Sequence, residues 1–304
     1  MRLLHLSDTH LLGDPDARHY ERIDTAAALR GLLDRLDLTG LDLIVHTGDA
    51  SEDGSEASYR LMHEILDPVA AAAGAPLVVA MGNHDAPGAY AAVRGPGDRG
   101  DAVQDRVLAL PGGGRVVVLD SSVPGAGYGR LDPEQLTWLR EVLAEPAPAG
   151  PTGERYGTIL ALHHPPLPAA TPLLEALSLQ GPTALEEALA GGDVRLILGG
   201  HYHHPMSGEL AGIPVQVAPG VTTVMDPLAP EGIERAHALS GAARIELAPL
   251  PAKGPAPAPR VATTILPSAG DTLGEPSTPA YRFDAETVAA IIAAAGPPRD
   301  RPTA

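Results

Sequence analysis

Aspartate, asparagine and histidine side chains follow five separate apolar runs of the sequence. The clusters are Asp8-Thr9-His10, Gly48-Asp49, Asn83-His84-Asp85, His163-His164 and His201-Tyr202-His203. Carboxylate and amide oxygens and imidazole nitrogens can all bind metal ions, and imidazole favours transition metals. The chain has no cysteine, which excludes thiolate zinc sites, iron-sulfur clusters and a cysteine nucleophile. The pattern therefore predicts a metal site built from nitrogen and oxygen ligands.

The apolar runs before these clusters predict the strands that hold them. We expect strands over residues 2–7, 42–46, 76–81, 115–120, 157–163 and 194–199. Leucines repeat at helical spacing between several of these runs, as from Leu29 to Leu36, which is typical of an α/β fold. Glycine-containing turns predict two hairpins, 103–110 with 115–120 and 206–210 with 213–218. The sheets should therefore mix parallel and antiparallel strands.

The five clusters should meet in space, because the carboxyl ends of the strands in an open α/β sheet share one crevice. Their seven donors are more than one tetrahedral ion can use, so two ions fit better. A carboxylate can bridge two ions, and Asp49 is the expected bridge. We assign Asp8, His10, Asp49 and His203 to the first ion, and Asp49, Asn83, His163 and His201 to the second. Four imidazoles favour divalent or mixed-valence Mn, Fe, Zn, Co or Ni over Mg or Ca.

The other histidines receive different interpretations. His163 directly ends its strand, so it is the expected ligand, and His164 would support the site from behind. His5 and His46 lie on apolar strands and are interpreted as structural. His204 is expected outside the set of ligands. Three more histidines are predicted to lie at the surface: His19, His63 and His237.

Taken in order, the motifs resemble the signature of calcineurin-like metallophosphoesterases. They are Asp8-x-His10, Gly48-Asp49, Gly82-Asn83-His84-Asp85, His163 and Gly200-His201-x-His203. The runs 4–10 and 162–166 resemble, more narrowly, bacterial class III cyclic-nucleotide phosphodiesterases. The resemblance covers about residues 1–220. It implies an α/β/β/α sandwich of two facing mixed sheets flanked by helices, a dinuclear centre with a bridging hydroxide, phosphoester hydrolysis and a homodimer.

The predicted reaction follows from the two ions. Together they would polarise the phosphoryl oxygens and lower the pKa of a bound water, so no protein nucleophile is required. His84 follows Asn83 directly and should lie at the rim, where it would donate a proton or hydrogen bond to the leaving oxygen. Asn83 and His84 are thus the expected substrate contacts. Asp85 is expected either to orient His84 or to cap a helix.

Composition restricts the partners. The chain has 38 acidic and 21 basic side chains, a formal net charge of -17, so it lacks the cationic surface that an extended nucleic acid needs. A small anionic substrate at one local site is compatible with this charge. No apolar run reaches the length of a membrane span, and Asp8 interrupts the start before a signal-type stretch develops. We therefore expect a cytoplasmic location.

Prolines suggest a boundary near residue 248. Residues 249–259 are rich in proline and alanine, which is typical of a polyproline II linker. The metal-binding domain is therefore predicted to cover residues 1–248, and residues 249–304 to form this linker and a short helix. Asp284 can cap that helix, which runs through Val288 and Ile291. Its apolar face is expected to dock on the main domain or a second subunit, near or over the site.

Three functions are compatible with these residues. The leading one is hydrolysis of 3',5'-cyclic nucleotides, with cyclic AMP first. The second is a broader metallophosphohydrolase acting on nucleotides, phospholipid head groups, glycerophosphodiesters or phosphoproteins. The third is a non-catalytic binding scaffold, which is disfavoured because every ligand and His84 are present.

Overall fold

All six strands predicted from the apolar runs are present in the computed structural model, which describes residues 1–100, 102–275 and 277–298. The strands are β1 (Arg2–Leu6), β2 (Leu43–His46), β3 (Leu77–Val79), β4 (Arg106–Ala109), β5 (Arg115–Val118), β6 (Gly129–Arg130), β7 (Thr158–Ala161), β8 (Leu179–Gln180), β9 (Val194–Gly199), β10 (Met206–Leu210), β11 (Ile213–Val217), β12 (Val224–Met225), β13 (Glu234–His237), β14 (Leu239–Glu246), β15 (Arg260–Pro267) and β16 (Pro279–Phe283). The helices are α1 (Thr25–Leu33), α2 (Glu56–Ala73), α3 (Pro87–Arg94), α4 (Pro133–Ala144), α5 (Pro172–Ala176), α6 (Pro182–Leu189) and α7 (Ala285–Ala295). Both predicted hairpins are also present, as β4 with β5 and β10 with β11.

Two mixed sheets form the centre of the fold. The first has five strands in the order β15-β14-β1-β2-β3, and the second has six in the order β10-β11-β9-β7-β5-β4. In the first sheet β1, β2 and β3 are parallel, as are β5, β7, β9 and β11 in the second. The parallel strands therefore deliver their carboxyl ends to a common edge, as the sequence pattern requires.

Three apolar layers hold the sheets and helices together. The layer between the sheets includes Leu3 and Val45 from the first sheet and Val116 and Leu198 from the second. On its outer face, the first sheet packs on α1 and α2, and the second sheet packs on α4 and α6. The arrangement is the predicted α/β/β/α sandwich.

Helix starts are fixed by side-chain caps where the sequence offers them. Asp24 Oδ1 accepts from the backbone N–H of Ala27 at the start of α1, and Ser55 Oγ accepts from Ser58 at the start of α2. Gly74 ends α2 with a φ of 64°, a left-handed conformation that glycine adopts without a Cβ clash. These caps place the α2 side chains that pack beneath the loops of the site.

The segment after residue 248 contributes two strands that the sequence analysis did not predict. β15 pairs with β14 from Leu239↔Pro267 to Glu246↔Arg260, and β16 pairs with β13. The five-stranded sheet thus extends past residue 248, where the sequence analysis placed the end of the metal-binding domain. The predicted terminal helix is present as α7, and Asp284 caps its start by accepting from the backbone N–H of Thr287. Residues 276 and 299–304 of the predicted tail lie outside the described residues.

One of the predicted surface histidines is buried within α2. His63 is only 7% exposed, and its Nδ1 lies 3.0 Å from Asp67 Oδ1 one helical turn away. The prediction for His63 was wrong because α3 packs on this side of α2, with the rings of His63 and Tyr90 5.9 Å apart. None of the helices in the described ranges has the length and apolar character of a membrane span.

Candidate dinuclear metal centre

The structure brings the five sequence clusters together at one edge of the two sheets. Asp8 and His10 follow β1, Asp49 follows β2, Asn83 follows β3, His163 follows β7, and His201 and His203 follow β9. Among the described residues, five groups of three donors have ligand atoms within 4.8 Å of one another, and four of them join the sequence clusters: Asp8 with His10 and His203, Asp8 with Asp49 and His163, His10 with Asp49 and His84, and His163 with His164 and His201. The prediction that the five clusters meet in space is thus confirmed.

Most of these side chains project from a strained backbone. The described residues include eight non-glycine residues with positive φ, and five of them are candidate ligands. Their φ values are 57° at Asp8, 44° at His10, 49° at Asp49, 66° at His201 and 52° at His203. Each such residue costs about 1–3 kcal/mol and persists only where its neighbours fix it, commonly at functional sites.

Hydrogen bonds between the loops supply that fixation. The backbone N–H of Asp8 donates to the Gly48 carbonyl at 3.0 Å, and that of His10 donates to the Asp49 carbonyl at 2.9 Å. Gly82 allows the loop after β3 to approach Asp49, because a Cβ at position 82 would collide with Asp49 Oδ1. The loops therefore lock one another in place.

Asp49 occupies the middle of the cluster. Its Oδ2 lies 3.3 Å from His163 Nε2 and 3.8 Å from His10 Nε2, two histidines assigned to different ions. On the side of the first ion, His203 Nε2 lies 3.4 Å from Asp8 Oδ1 and 3.1 Å from His10 Nε2. Asp49 therefore lies between the histidines that the sequence analysis assigned to the two ions.

Two of the imidazoles are oriented by backbone carbonyls on the side away from the centre. His163 Nδ1 donates to the Thr47 carbonyl at 2.7 Å, and His203 Nδ1 donates to the Thr223 carbonyl at 3.1 Å. In the neutral ring, each bond leaves the lone pair on Nε2, which faces the other ligands, and this is the form that binds a metal ion. His201 has the opposite orientation, since its Nε2 donates to the Leu177 carbonyl at 2.9 Å and Nδ1 is left for an ion.

The donor set fits divalent cations. Asp8 Oδ2, Asn83 Oδ1 and His163 Nε2 are buried without a hydrogen-bond partner within the described parts of the chain. His163 Nε2 is close to Asp49 Oδ2 but is not aligned for a hydrogen bond with it. Buried polar atoms left unpaired in this way are costly, and cations held by these residues would satisfy them.

The electrostatics of the cluster also favour positive charge. Burial lowers the pKa of His163, but the Asp49 and Asp8 carboxylates more than offset that effect and raise this pKa to about 9. Burial raises the pKa of Asp49, yet His163, His84 and His10 hold it well below its usual range. Two carboxylates in a buried site thus attract cations to the centre.

Glu52, which the sequence analysis missed, connects three histidines. Its Oε2 lies 2.7 Å from His10 Nδ1, 3.2 Å from His84 Nδ1 and 3.6 Å from His19 Nδ1. Burial raises the pKa of Glu52, but hydrogen bonds from His10 and His84 hold it well below its usual range. Its place three residues after Asp49, in the same loop, was the available signal.

His84 lies at the rim of the centre, as predicted, with its side chain 39% exposed. Burial lowers its pKa, but Asp49 and Glu52 raise this pKa to about 10, which favours the protonated imidazolium. The His84 ring thus lies where it can act as a hydrogen-bond donor toward the cavity.

Asp85 takes neither of the two expected roles. Its carboxylate accepts from the backbone N–H groups of Ser51 and Gly82, both at 2.9 Å, and from the hydroxyl of Tyr59. Helix α3 begins at Pro87, and the residue before it, Ala86, provides no side-chain cap. Burial and the nearby Asp49 raise the pKa of Asp85 to about 6. This residue ties the loops after β2 and β3 together.

Two neighbouring histidines complete the surroundings. His164 lies behind the centre, since its Nδ1 is 2.9 Å from Ser121 Oγ and its Nε2 is 3.3 Å from the Gly127 carbonyl. His19 was predicted at the surface but is only 5% exposed and stacks on His10, with ring centroids 4.9 Å apart. The prediction for His19 was wrong because its segment folds back over the site.

A cavity of about 240 Å³ opens in front of the centre. Candidate ligands and His84 line one side of it. The other side is lined by Tyr20, Leu173, Leu177, Tyr281, Phe283 and Ile291. The predicted docking of α7 near the site is thus confirmed, with Ile291 facing this cavity.

Two facing mixed sheets that carry Asp, Asn and His donors at their strand ends define a metallophosphoesterase. A family model described as calcineurin-like phosphoesterase matches residues 1–205, and the chain belongs to this family. Members of this family use a dinuclear centre of divalent ions, and the clustered side chains described above can hold such ions.

Among characterised relatives, the chain is 42% identical to the cAMP/cGMP dual specificity phosphodiesterase of Mycobacterium tuberculosis, over 74% of this chain and 68% of the relative. It is 35% identical to the 3',5'-cyclic adenosine monophosphate phosphodiesterase CpdA of Pseudomonas aeruginosa, over 75% of this chain and 82% of that protein. A solved dimetal phosphatase from Danio rerio shares the fold, with a TM-score of 0.54 and 15% identity over 86% of this chain and 98% of the other.

Proposed function

We propose that this protein is a metal-dependent phosphodiesterase that hydrolyses 3',5'-cyclic nucleotides, with cyclic AMP as the first candidate. The observation that carries the proposal is the cluster around Asp49, where Asp8 Oδ2, Asn83 Oδ1 and His163 Nε2 are buried without a hydrogen-bond partner among the described residues. The names of the relatives in Mycobacterium tuberculosis and Pseudomonas aeruginosa support the cyclic-nucleotide substrate.

The residues divide into two ligand sets that share one carboxylate. Asp8, His10, Asp49 and His203 would hold one ion, and Asp49, Asn83, His163 and His201 would hold the other. When bound, the two ions would supply Lewis-acid polarisation of the phosphoryl group and activation of a water. We propose Mn, Fe, Zn, Co or Ni for these ions, because imidazole is an unusual ligand for Mg or Ca.

His84 is assigned the role of general acid. Opening a cyclic phosphodiester expels a ribose alkoxide, a poor leaving group that needs a proton as the bond breaks. The His84 ring lies at the rim of the same cavity, with Glu52 on its Nδ1 side. Its Nε2 is then free of this contact and can donate to the leaving oxygen. Asn83, which precedes His84 in the sequence, would contact the phosphoryl group.

The charge distribution supports a small substrate. The chain carries a net negative charge, so it would repel a long polyanion. A single phosphate would instead be attracted by the cations bound at the centre. A homodimer and a cytoplasmic location belong to the same proposal. Light scattering of the purified protein and fractionation of cells that express it test these two points.

The decisive experiment compares substrates on one Mn-loaded sample. The values of kcat/KM are measured for cyclic AMP, cyclic GMP, 2',3'-cyclic nucleotides, a phosphomonoester and a glycerophosphodiester, with a chelator-treated sample as the control. Cyclic AMP should lead, and chelation should abolish turnover until Mn is restored. If the monoester or glycerophosphodiester leads by more than about a hundredfold, roughly 2.7 kcal/mol, the chain is a broader phosphohydrolase instead.

A further inference from the structure

Three of the chain's few aromatic side chains lie together at the mouth of the cavity. Aromatic residues make up 3% of the sequence, and its single phenylalanine, Phe283, is one of the three. The rings of Tyr281 and Phe283 stack with centroids 4.5 Å apart and an interplanar angle of 17°. Tyr20 joins them, 4.7 Å from Tyr281. We call these three residues the aromatic platform.

The aromatic platform borders the metal centre directly. Its residues line the same cavity as His10, Asp49 and His84. A row of rings connects the two, because Tyr20 packs on His19 at 4.2 Å and His19 stacks on His10 at 4.9 Å. A molecule whose phosphate binds at the centre therefore meets aromatic surface next to it.

The backbone that presents Tyr20 is strained. Tyr20 and Glu21 have φ values of 49° and 56°, in the left-handed region that bulky residues seldom adopt. Such conformations persist where the surrounding structure fixes them, and they concentrate at functional sites. Even so, the Tyr20 side chain remains 42% exposed toward the cavity mouth.

Arg22 is the residue that fixes this segment. Its guanidinium forms a bidentate ion pair with Asp271, with both contacts under 3 Å, and donates to the carbonyls of Glu275 and Thr278. The Arg22 and Asp271 side chains are 6% and 3% exposed. This buried clamp joins the Tyr20 segment to the stretch of chain that leads into β16, which carries Tyr281 and Phe283. The aromatic platform is thus assembled from two distant parts of the sequence.

We propose that the aromatic platform is the surface on which the nucleobase of the substrate stacks. This inference rests on the proposed function, since it assigns a partner for the base of a nucleotide whose phosphate lies at the metal centre. Stacking on an aromatic ring contributes about 1–3 kcal/mol per base and tolerates different bases, because every base has a π face. The aromatic platform would therefore accept adenine and guanine alike.

Two ligands that differ only in the base test the proposal. Calorimetry on the Mn-loaded protein measures the affinity of 5'-AMP and of ribose 5-phosphate, which keeps the phosphate and the sugar. The wild type should bind 5'-AMP about 5- to 150-fold more tightly, the ratio that corresponds to the stacking energy of one base. Tyr20→Ala and Phe283→Ala should bring this ratio toward one while the affinity for ribose 5-phosphate stays unchanged.

Matched variants separate stacking from folding. Tyr20→Phe and Phe283→Tyr keep a ring and should keep the ratio. Leu228→Ala should also keep the ratio, because it removes an apolar side chain that is 89% exposed and does not line the cavity. If the alanine variants keep the wild-type ratio, the aromatic platform does not bind the base. If they do not fold, loss of the ratio in the ring-preserving variants would overturn the proposal equally.

Failure of the proposed function gives a different result. A wild type that hydrolyses no cyclic nucleotide would contradict the phosphodiesterase assignment even if it discriminates 5'-AMP from ribose 5-phosphate. A wild type that hydrolyses cyclic AMP without that discrimination would contradict only the aromatic platform.

Discussion

The backbone N–H of His84 donates a 2.9 Å hydrogen bond to Oδ1 of Asp49. The other oxygen of Asp49, Oδ2, is the one that faces His163 and His10. The proposed acid thus helps to orient the proposed bridging carboxylate through its main-chain N–H, while its imidazole lies beside Glu52 at the cavity rim. Alanine at position 84 keeps the backbone N–H that bonds Asp49 and removes only the imidazole, so mutation can separate the orienting role from the proposed acid role.

Replacing His84 with alanine should leave the metal content unchanged and reduce turnover of cyclic AMP by about 10²- to 10⁴-fold, the usual contribution of general acid catalysis. Steady-state kinetics and elemental analysis on the same preparation measure the two quantities. A 4-nitrophenyl phosphodiester is the control, since its leaving group needs little protonation and its turnover should fall much less. Equal losses on both substrates would show that His84 is not the acid.

Replacing Asp49 with alanine should remove both ions, because its carboxylate is shared between the two ligand sets. Asp8→Ala should retain the second ion, whose assigned ligands are Asp49, Asn83, His163 and His201. Elemental analysis after Mn loading gives the metal content per chain. Asp49→Asn keeps the shape of the side chain and serves as a second variant if Asp49→Ala folds poorly. Wild-type metal content in both Asp49 variants would refute the bridge.

Glu52→Gln should lower kcat/KM for cyclic AMP by about 10- to 100-fold, the range seen when a residue that orients metal ligands is changed. Glu52 positions His84, so the loss should be larger on cyclic AMP than on the nitrophenyl substrate. The neighbouring Asp53→Asn is the matched control, because Asp53 accepts from Gly13 and Ser55 and does not contact the histidines. A similar loss in both variants would mean that the loop, not Glu52, matters.

Acid should destabilise the fold in part through His5. This residue is fully buried beside Thr47, and burial lowers its pKa from 6.5 to about 3. The unfolded chain takes up a proton near pH 6.5 whereas the folded chain does not, so stability is lost as the pH falls from 6.5 toward 3. From pH 7 to pH 5 this amounts to about 2 kcal/mol.

Urea denaturation of wild type and His5→Gln, both in chelator, tests this pH dependence. The difference in unfolding free energy between pH 7 and pH 5 should be about 2 kcal/mol smaller in His5→Gln. Identical pH dependence in the two proteins would contradict the assignment.

The Arg22 clamp should be important for stability. Removing one partner of a buried ion pair leaves an uncompensated charge and costs about 3–5 kcal/mol, so Asp271→Ala should unfold at a clearly lower urea concentration than the wild type. Asp226→Ala is the matched control, since it breaks the more exposed pair with Arg235, whose side chain is 33% exposed. That control should cost at most about 1 kcal/mol. Equal costs would show that Arg22 is satisfied without Asp271.

The candidate ligands at the strand ends could be predicted because a short stretch of sequence marks each of them. Each apolar run is followed at once by its polar cluster, and parallel strands direct all such clusters to one edge, so Asp8 and His163 could be placed together without a structure. Glu52 and His19 were missed because their roles depend on loops that fold back over the centre. Their burial arises from contacts with residues distant in the sequence, and no periodic pattern marks it.

The strands after residue 248 were missed for a different reason. β15 has four β-branched residues in the run 261–265, which is a strand signal, but the prolines before it indicated a linker. β15 pairs with β14, which would otherwise be the edge strand of the first sheet. Which edge is open for pairing depends on the whole sheet and not on the local sequence. The apolar periodicity of α7, by contrast, lies within one short segment and predicted both the helix and its docking.

The pairing of β14 with β15 has a consequence for any shortened form of the chain. A protein ended at residue 248 would contain every candidate ligand, yet β14 would become the outermost strand of its sheet, with a row of unsatisfied N–H and C=O groups over eight residues. Exposed edges of this kind recruit further strands from other molecules. Self-association into insoluble material would then remove the protein from solution before its chemistry could be measured.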